Sequence, residues 1–260
     1  MQNIEILLTG CKLSVKSTDI QIYTITYERQ KHMIVRLKYA CSPYISIKMM
    51  SVIGSFNAFD PKKGIMELKN GCWVTKIDLP PGDHRYKFLI NGVIKLNDPA
   101  ANIYLPDDLD ELWSAIIIDD QEQRRYNNQR YTVNIRDYCL TSSVTDKPVL
   151  QKKCKFNPLM DKKVVARFEF DQITGLHAVT AVWCDQYGRV FEYAENNLYA
   201  ESLDPVFLWF WIDIDNFDRK FTEGFYKLKF FIDGGYVLED EITISCESTY
   251  SNGYRFLKSY

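Results

Sequence analysis

GDHRYKFLINGVIKLND fills residues 82–98, and GFYKLKFFIDGGYVLED fills residues 224–240. The two align residue for residue: Gly82 on Gly224, Lys87 on Lys229, Phe88 on Phe230, Ile90 on Ile232, Gly92 on Gly234 and Asp98 on Asp240. Asn91-Gly92 and Asp233-Gly234 both tolerate the positive φ of a tight two-residue turn. The flanking runs, Tyr86 to Ile90 and Val93 to Leu96 in the first copy, are β-branched and aromatic and read as strands. The phrase is a β-hairpin, and its recurrence suggests two domains on one plan.

A chain of 260 residues with 46% hydrophobic and 25% charged residues can bury two ordinary cores. Seventeen Tyr and 15 Phe against 12 Gly lean toward β structure rather than disorder. A net charge of −2 offers no electrostatic case for nucleic acid or an anionic membrane as partner. No run approaches the ~20 apolar residues of a transmembrane helix, so no membrane insertion is expected. Leu8-Thr9-Gly10-Cys11 has the form of a lipoprotein cleavage box, but MQNIEILL lacks the basic start and long apolar run of a leader, so lipidation is not expected. Seven widely spaced cysteines with no CxxC pair argue against a zinc or thioredoxin-type motif. They predict reduced, mostly buried thiols and a cytoplasmic protein.

Strands are expected at 4–8, 19–28, 32–40, 44–53, 71–79 and 113–118, around the first hairpin, with a loop signal in GSFNAFDPKKG and a stop at Pro80-Pro81-Gly82. Residues 121–160 are polar, broken by Lys147-Pro148 and Asn157-Pro158, and read as a long connector, either solvated or docked on a partner. Strands resume at 164–170, 178–184, 188–194, 205–214, 224–233 and 236–245. With no convincing amphipathic helix, the pattern predicts an all-β chain of two immunoglobulin-like antiparallel sandwiches. The expected division is an N-terminal β extension at 1–29, a sandwich at 30–120, the connector at 121–160 and a second sandwich at 161–260.

The first block reads Val52-Ile53-Gly54-Ser55-Phe56-Asn57-Ala58-Phe59, then Gly71-Cys72-Trp73, then Leu79 to Phe88 (LPPGDHRYKF), then Asn91-Gly92 and Asn97-Asp98-Pro99. Over residues 30–120 this order and spacing resembles the glycogen-binding domain of the AMP-activated protein kinase β subunit, a family 48 carbohydrate-binding module. The resemblance implies an early-set β-sandwich, and the second block, at about 160–250, reads as a diverged sandwich of the same kind. In that family flat aromatic rings stack on glucose while polar groups fix the hydroxyls. By the resemblance, Phe59 stands where the first platform tryptophan stands, Lys87 matches the family lysine, and Ile94, without a ring, takes the place of the second platform tryptophan. The family's asparagine pair falls near Ser114-Ala115. The scaffold is kept and most of the sugar-reading surface is not. Trp73, on a strand, reads as core.

No HExxH, GxSxG or phosphate-binding loop is present, so no catalytic centre and no cofactor are expected. Asp107-Asp108-Leu109-Asp110-Glu111 reads as a solvated loop rather than a cation site. The run 213–218 lacks the glycine and distal glutamate of a calcium loop, so no metal is expected. Pro205 to Ile212 (PVFLWFWI) is apolar on both faces of one strand: Val206, Leu208, Phe210 and Ile212 on one, Phe207, Trp209 and Trp211 on the other. The second face needs cover from the connector, the other domain, a protein partner or a stacked sugar. The expected function is a non-catalytic interaction or scaffold protein within a larger assembly. The alternative is an α-glucan (glycogen or starch) adaptor using Phe59 and Lys87.

Overall fold

The computed structural model describes residues 32–41, 43–145, 152–215 and 221–246, together with the backbone of two strands, β1 (Glu5–Leu8) and β2 (Cys11–Ser14). The expected strand at 19–28 lies outside the described residues. β1 and β2 pair as an antiparallel hairpin with Leu8 opposite Cys11, in a unit of its own spanning Met1–Lys31.

Residues from His32 onward form the other compact unit. Its first strands are β3 (Met33–Ala40), β4 (Met50–Gly54), β5 (Glu67–Lys69), β6 (Cys72–Leu79), β7 (Gly82–Ile90), β8 (Ile94–Leu96), β9 (Tyr104–Pro106), β10 (Leu112–Ile118) and β11 (Arg124–Arg125). The order β3-β6-β5 makes one sheet; β11-β10-β7-β4, with β8 on β7 and β9 on β10, makes the facing one. Val35, Leu37 and Tyr39 of β3 and Trp73 and Leu79 of β6 pack against Val52, Tyr86, Phe88, Ile90 and Ile116 to form the core of this sandwich. Trp73 is core, as its strand position implied.

The remaining strands are β12 (Thr132–Thr141), β13 (Lys155–Phe156), β14 (Lys163–Thr174), β15 (His177–Cys184), β16 (Val190–Leu198), β17 (Val206–Asp213), β18 (Gly224–Ile232) and β19 (Gly235–Ile244). A three-stranded sheet, β12-β14-β17, faces a five-stranded sheet, β13-β19-β18-β15-β16. Every pairing is antiparallel except β13 with β19. Phe168 at the centre stacks on Phe230 at 4.0 Å and meets Phe210 edge-on, joining the two sheets. The chain is therefore two antiparallel β-sandwiches, and no α-helix forms among the described residues.

The polar stretch after β10 is built into both sandwiches rather than running free. β11 pairs β10, β12 pairs β14, and β13 joins β19. Two further expectations differ from the structure. Of the strand expected at 44–53 only β4 pairs, because Asn91 takes the preceding backbone for itself: its Oδ1 accepts from the N–H groups of Lys48 (2.8 Å) and Met49 (3.2 Å), and its Nδ2 donates to the Ser46 carbonyl (2.8 Å). The thiols are not mostly buried: Cys41, Cys154 and Cys246 are exposed, while Cys139 and Cys184 are buried.

The twin hairpin turns have φ of 53° and 73° at Asn91 and Gly92, and 51° and 78° at Asp233 and Gly234. Both turns also serve as anchors. Asp233 Oδ1 accepts from the Ala178 N–H (2.9 Å) and its Oδ2 meets His177 Nδ1 at 2.7 Å. His177 Nε2 lies 3.1 Å from the carbonyls of Thr132 and Thr174. Both ring nitrogens thus face acceptors, which only the imidazolium can satisfy together. Burial pushes the His177 pKa down, but Asp233 and the two carbonyls outweigh it and hold it above the ordinary value.

The turns differ in what a side chain would meet. A Cβ at Gly92 would have only Met49 Cε nearby, at 3.7 Å, whereas one at Gly234 would lie 1.8 Å from the Asn97 carbonyl oxygen. Gly92→Val is expected to cost about 1–2 kcal/mol, the left-handed penalty, and Gly234→Val clearly more, read by urea unfolding. Equal costs would show that the Asn97 contact does not form. For His177 the folded pKa exceeds the unfolded value of about 6.5, so its stabilisation is complete below about pH 6.5 and is lost as pH rises through the folded value. The urea midpoint should fall with rising pH over that window, and His177→Gln should flatten the dependence; a wild-type midpoint that does not fall there contradicts the imidazolium.

Candidate functional site

Alternation along β7 sends Tyr86, Phe88 and Ile90 into the sandwich core and Lys87 to the opposite face of the sheet. Lys87 is nevertheless fully buried. Its Nζ donates to Glu111 Oε1 at 2.8 Å and to Glu195 Oε1 at 2.7 Å, and it lies 5.1 Å from the centre of the Trp113 ring. Lys95, on β8, shares Glu111 and approaches the same ring at 5.6 Å. Trp113 Nε1 donates to Asp107, whose other oxygen accepts from the N–H groups of Leu109 and Glu111. Phe59 packs edge-on against Trp113 at 5.2 Å and is 47% exposed. Trp113, Lys87, Lys95, Glu111 and Phe59 therefore make one cluster.

Glu195 comes from β16, so the second sandwich closes over this face of the first. Asn197, two residues on, donates to the Asp110 carbonyl at 2.6 Å. Burial pushes the Glu195 pKa up against the pull of Lys87. Burial also acts upward on Glu111, but the hydrogen bonds and charges of Lys87 and Lys95 outweigh it and hold that carboxyl below its ordinary value. Beside the cluster a polar cleft of 370 Å³ is lined by Lys95, Glu111, Tyr193, Glu195, Asn196 and Asn197.

Contacts continue along the same junction. Tyr44 stacks on Tyr236 with ring centres 4.2 Å apart, and Tyr39, its hydroxyl pKa raised to about 12 by burial and by Asp98, donates to the Gly234 carbonyl at 3.3 Å. Val182, Cys184 and Phe231 of the second sandwich's larger sheet pack into the first sandwich's apolar cluster. That sheet is thus covered on both faces, and every residue of β15 is buried.

Of the residues expected on the glycan face, the structure brings together Phe59 and Lys87, around Trp113. Ile94 pairs with Ile90 on the other side of the hairpin and is buried in the core cluster. Ser114 is buried with Asn97: its Oγ and N–H donate to Asn97 Oδ1, and its Oγ accepts from the Asp98 N–H. Asp98 in turn accepts from the Tyr86 hydroxyl at 2.8 Å. The run 107–111 is not simply a solvated loop, because Asp107 and Glu111 hold Trp113 and the lysines. The run 213–218 lies partly outside the described residues. Glu195 and Trp113 were missed by sequence reasoning. The signal for the covering sheet was the run AVTAVWC, apolar but for Thr180 and so too apolar for a strand with one wet face.

On β17, Phe210 and Ile212 point into the second core, with Val206 and Leu208 partly buried against it. On the other face Phe207 and Trp209 are half-buried and stack on each other at 6.2 Å, while Trp211 is 47% exposed. The Arg167 guanidinium lies 4.7 Å over Phe207, Lys163 Nζ lies 4.9 Å over Trp211, and Trp209 Nε1 donates to the Thr145 carbonyl at 3.3 Å. Cover for these rings comes from neighbouring cations of β14 and from the segment leaving β12.

Residues 46–124 match the family model of the glycogen recognition site of AMP-activated protein kinase. The matched segment covers β4 to β10 and ends at Arg124, the first residue of β11. No curated protein matches the chain significantly. Among solved structures, an alkylpurine DNA glycosylase of Pseudomonas fluorescens aligns at 14% identity and TM-score 0.31, over 45% of this chain and 31% of its own. An immunoglobulin-like protein of Pseudomonas aeruginosa aligns at 12% and 0.32, over 44% of this chain and 97% of its own. A maltogenic amylase from S. marinus aligns at 12% and 0.29, over 82% of this chain and 28% of its own.

Removing the Lys87 charge leaves Glu195 without its buried partner. Lys87→Met is expected to destabilise the chain by about 3–5 kcal/mol, and Lys87→Met with Glu195→Gln to recover most of that loss. A double-mutant cycle by urea unfolding reads the coupling; strictly additive losses would mean the two groups do not pair.

Proposed function

We propose that this is a non-catalytic interaction protein, in which a carbohydrate-binding-module sandwich serves as a structural block and the chain acts as a subunit of a larger protein assembly. One observation carries the reading: the lysine that the family uses for sugar is fully buried and held by Glu111 and Glu195. A buried ammonium already holding two carboxylates has no free geometry for a glucose hydroxyl, and exposing it would break both ion pairs. Ile94, at the second platform place, contributes no ring and lies in the core. For the protein partner the reading takes the outer side of β17, where Trp211 keeps half its surface in water and, among the described residues, the strand pairs only β14.

A second reading, an α-glucan adaptor, is favoured by Phe59, whose exposed ring beside Trp113 can still stack on a sugar. Calorimetry with maltoheptaose separates the two. The expected result is no dissociation constant tighter than about 1 mM, roughly −4 kcal/mol. A micromolar constant that disappears in Phe59→Ala would establish the adaptor instead. Migration of the native protein alone, at monomer mass, would remove the assembly part of the proposal.

A further inference from the structure

The outer face of the β3-β6-β5 sheet carries positive charge on a chain whose net charge is −2. In the β3–β6 register Arg36 lies directly opposite Lys76, and Lys38, opposite Val74, is the diagonal neighbour of Lys76. Directly opposite side chains on one face of an antiparallel pair are about 5 Å apart at Cβ, and like charges there are destabilising. All three cations are exposed, and among the described residues none has an ion-pair partner. Two carboxylates share the face: Glu67 pairs with Lys69, and Asp78, the diagonal neighbour of Arg36, has His32 Nδ1 at 3.4 Å. Arg36, Lys76 and Lys69 line a groove of 320 Å³ with Ile65, Glu67 and Val74. Ile65, in the groove, and Ile34, two residues before Arg36 on β3, are exposed.

We infer that this face is a docking surface for an acidic protein segment in extended conformation. Arg36 and Lys38 stand two residues apart on one strand, so their charges repeat at roughly 7 Å, the spacing of alternate side chains in an extended peptide. A segment carrying Glu or Asp at every second position sets one carboxylate against each cation and removes the Arg36–Lys76 repulsion on binding. The exposed Ile34 and Ile65 give apolar side chains of such a segment a place to rest. A nucleic acid fits less well, because Tyr39 and Trp73, the aromatic residues of β3 and β6, are buried in the core and leave no ring for a base to stack on. The inference concerns a different surface from the Lys87 cluster and stands whether or not the chain binds glucan.

Fluorescence anisotropy on the full chain tests it, with a labelled (Glu-Val)5 peptide in about 50 mM salt, where exposed charges are weakly screened. The expected result is saturable binding that weakens about tenfold or more in Arg36→Glu with Lys76→Glu, a change of about 1.4 kcal/mol or more, and is unaffected by Lys48→Glu. The milder Lys76→Thr keeps the test sound if the double reversal fails to fold: it should raise Tm by removing the like-charge pair and weaken the peptide together. Three results overturn the inference: no saturable binding, equal loss in Lys48→Glu, or a raised Tm in Lys76→Thr with peptide affinity unchanged. Tighter binding of a single-stranded oligonucleotide than of the peptide also overturns it.

Discussion

A charged lysine with no surface in water is the constraint from which the rest of the molecule can be followed. Lys87 stands on the wet side of a strand by alternation, yet it is fully buried. Such a charge is tolerated only when paired and hydrogen-bonded. One partner, Glu111, comes from the loop before β10 in the same sandwich; the other, Glu195, comes more than a hundred positions later, from β16. Satisfying Lys87 therefore requires both sandwiches to be folded and docked. The same act covers the face of β7 that carries Lys87.

The docking also accounts for the larger sheet of the second sandwich. Val179, Ala181 and Trp183 of β15 face their own core, around Phe168 and Phe230, while Val182 and Cys184 face the first sandwich. A strand that buries both sides is mostly apolar, as β15 is between Ala178 and Cys184, with Thr180 its one polar residue there. The second copy of the repeated phrase turns at Asp233-Gly234, and that turn sits against the backbone of Asn97, inside the first copy's own terminal motif. Each turn residue side chain ties down the segment beside it, Asn91 at 46–49 and Asp233 at 177–178. The repetition is thus more than a record of one plan used twice, since one turn holds the segment 46–49 and the other holds the start of β15 while resting on Asn97.

Aromatic residues divide between two tasks. Phe168, Phe170, Phe210 and Phe230 fill the second core. Phe207, Trp209 and Trp211 lie on the outer face, where Arg167 and Lys163 set their cations over the rings and the Thr145 carbonyl receives the Trp209 indole N–H. Cations laid on ring faces cover apolar surface without a third sheet. Trp211 is covered least of the three.

The sequence by itself determined the two hairpins, the all-β class, the two-sandwich plan and the family resemblance of the first block. Each rests on local chemistry: positive-φ residues at turns, period-two alternation, and motifs at fixed spacing. Phe59, Lys87 and Ile94 were legible as departures from, or matches to, a sugar platform. What they touch was not legible. Lys87 pairs with a carboxylate more than a hundred residues away, and nothing in the run around Glu195 announces a buried ion pair. Ile94 was placed on a binding face by motif position, but its pairing with Ile90 turns it inward. Asn91 removed an expected stretch of strand at 44–49 by taking its backbone N–H groups, a competition that no propensity reveals. Tertiary structure decided these points because burial and pairing belong to two segments at once, and only docking of the sandwiches brings those segments together.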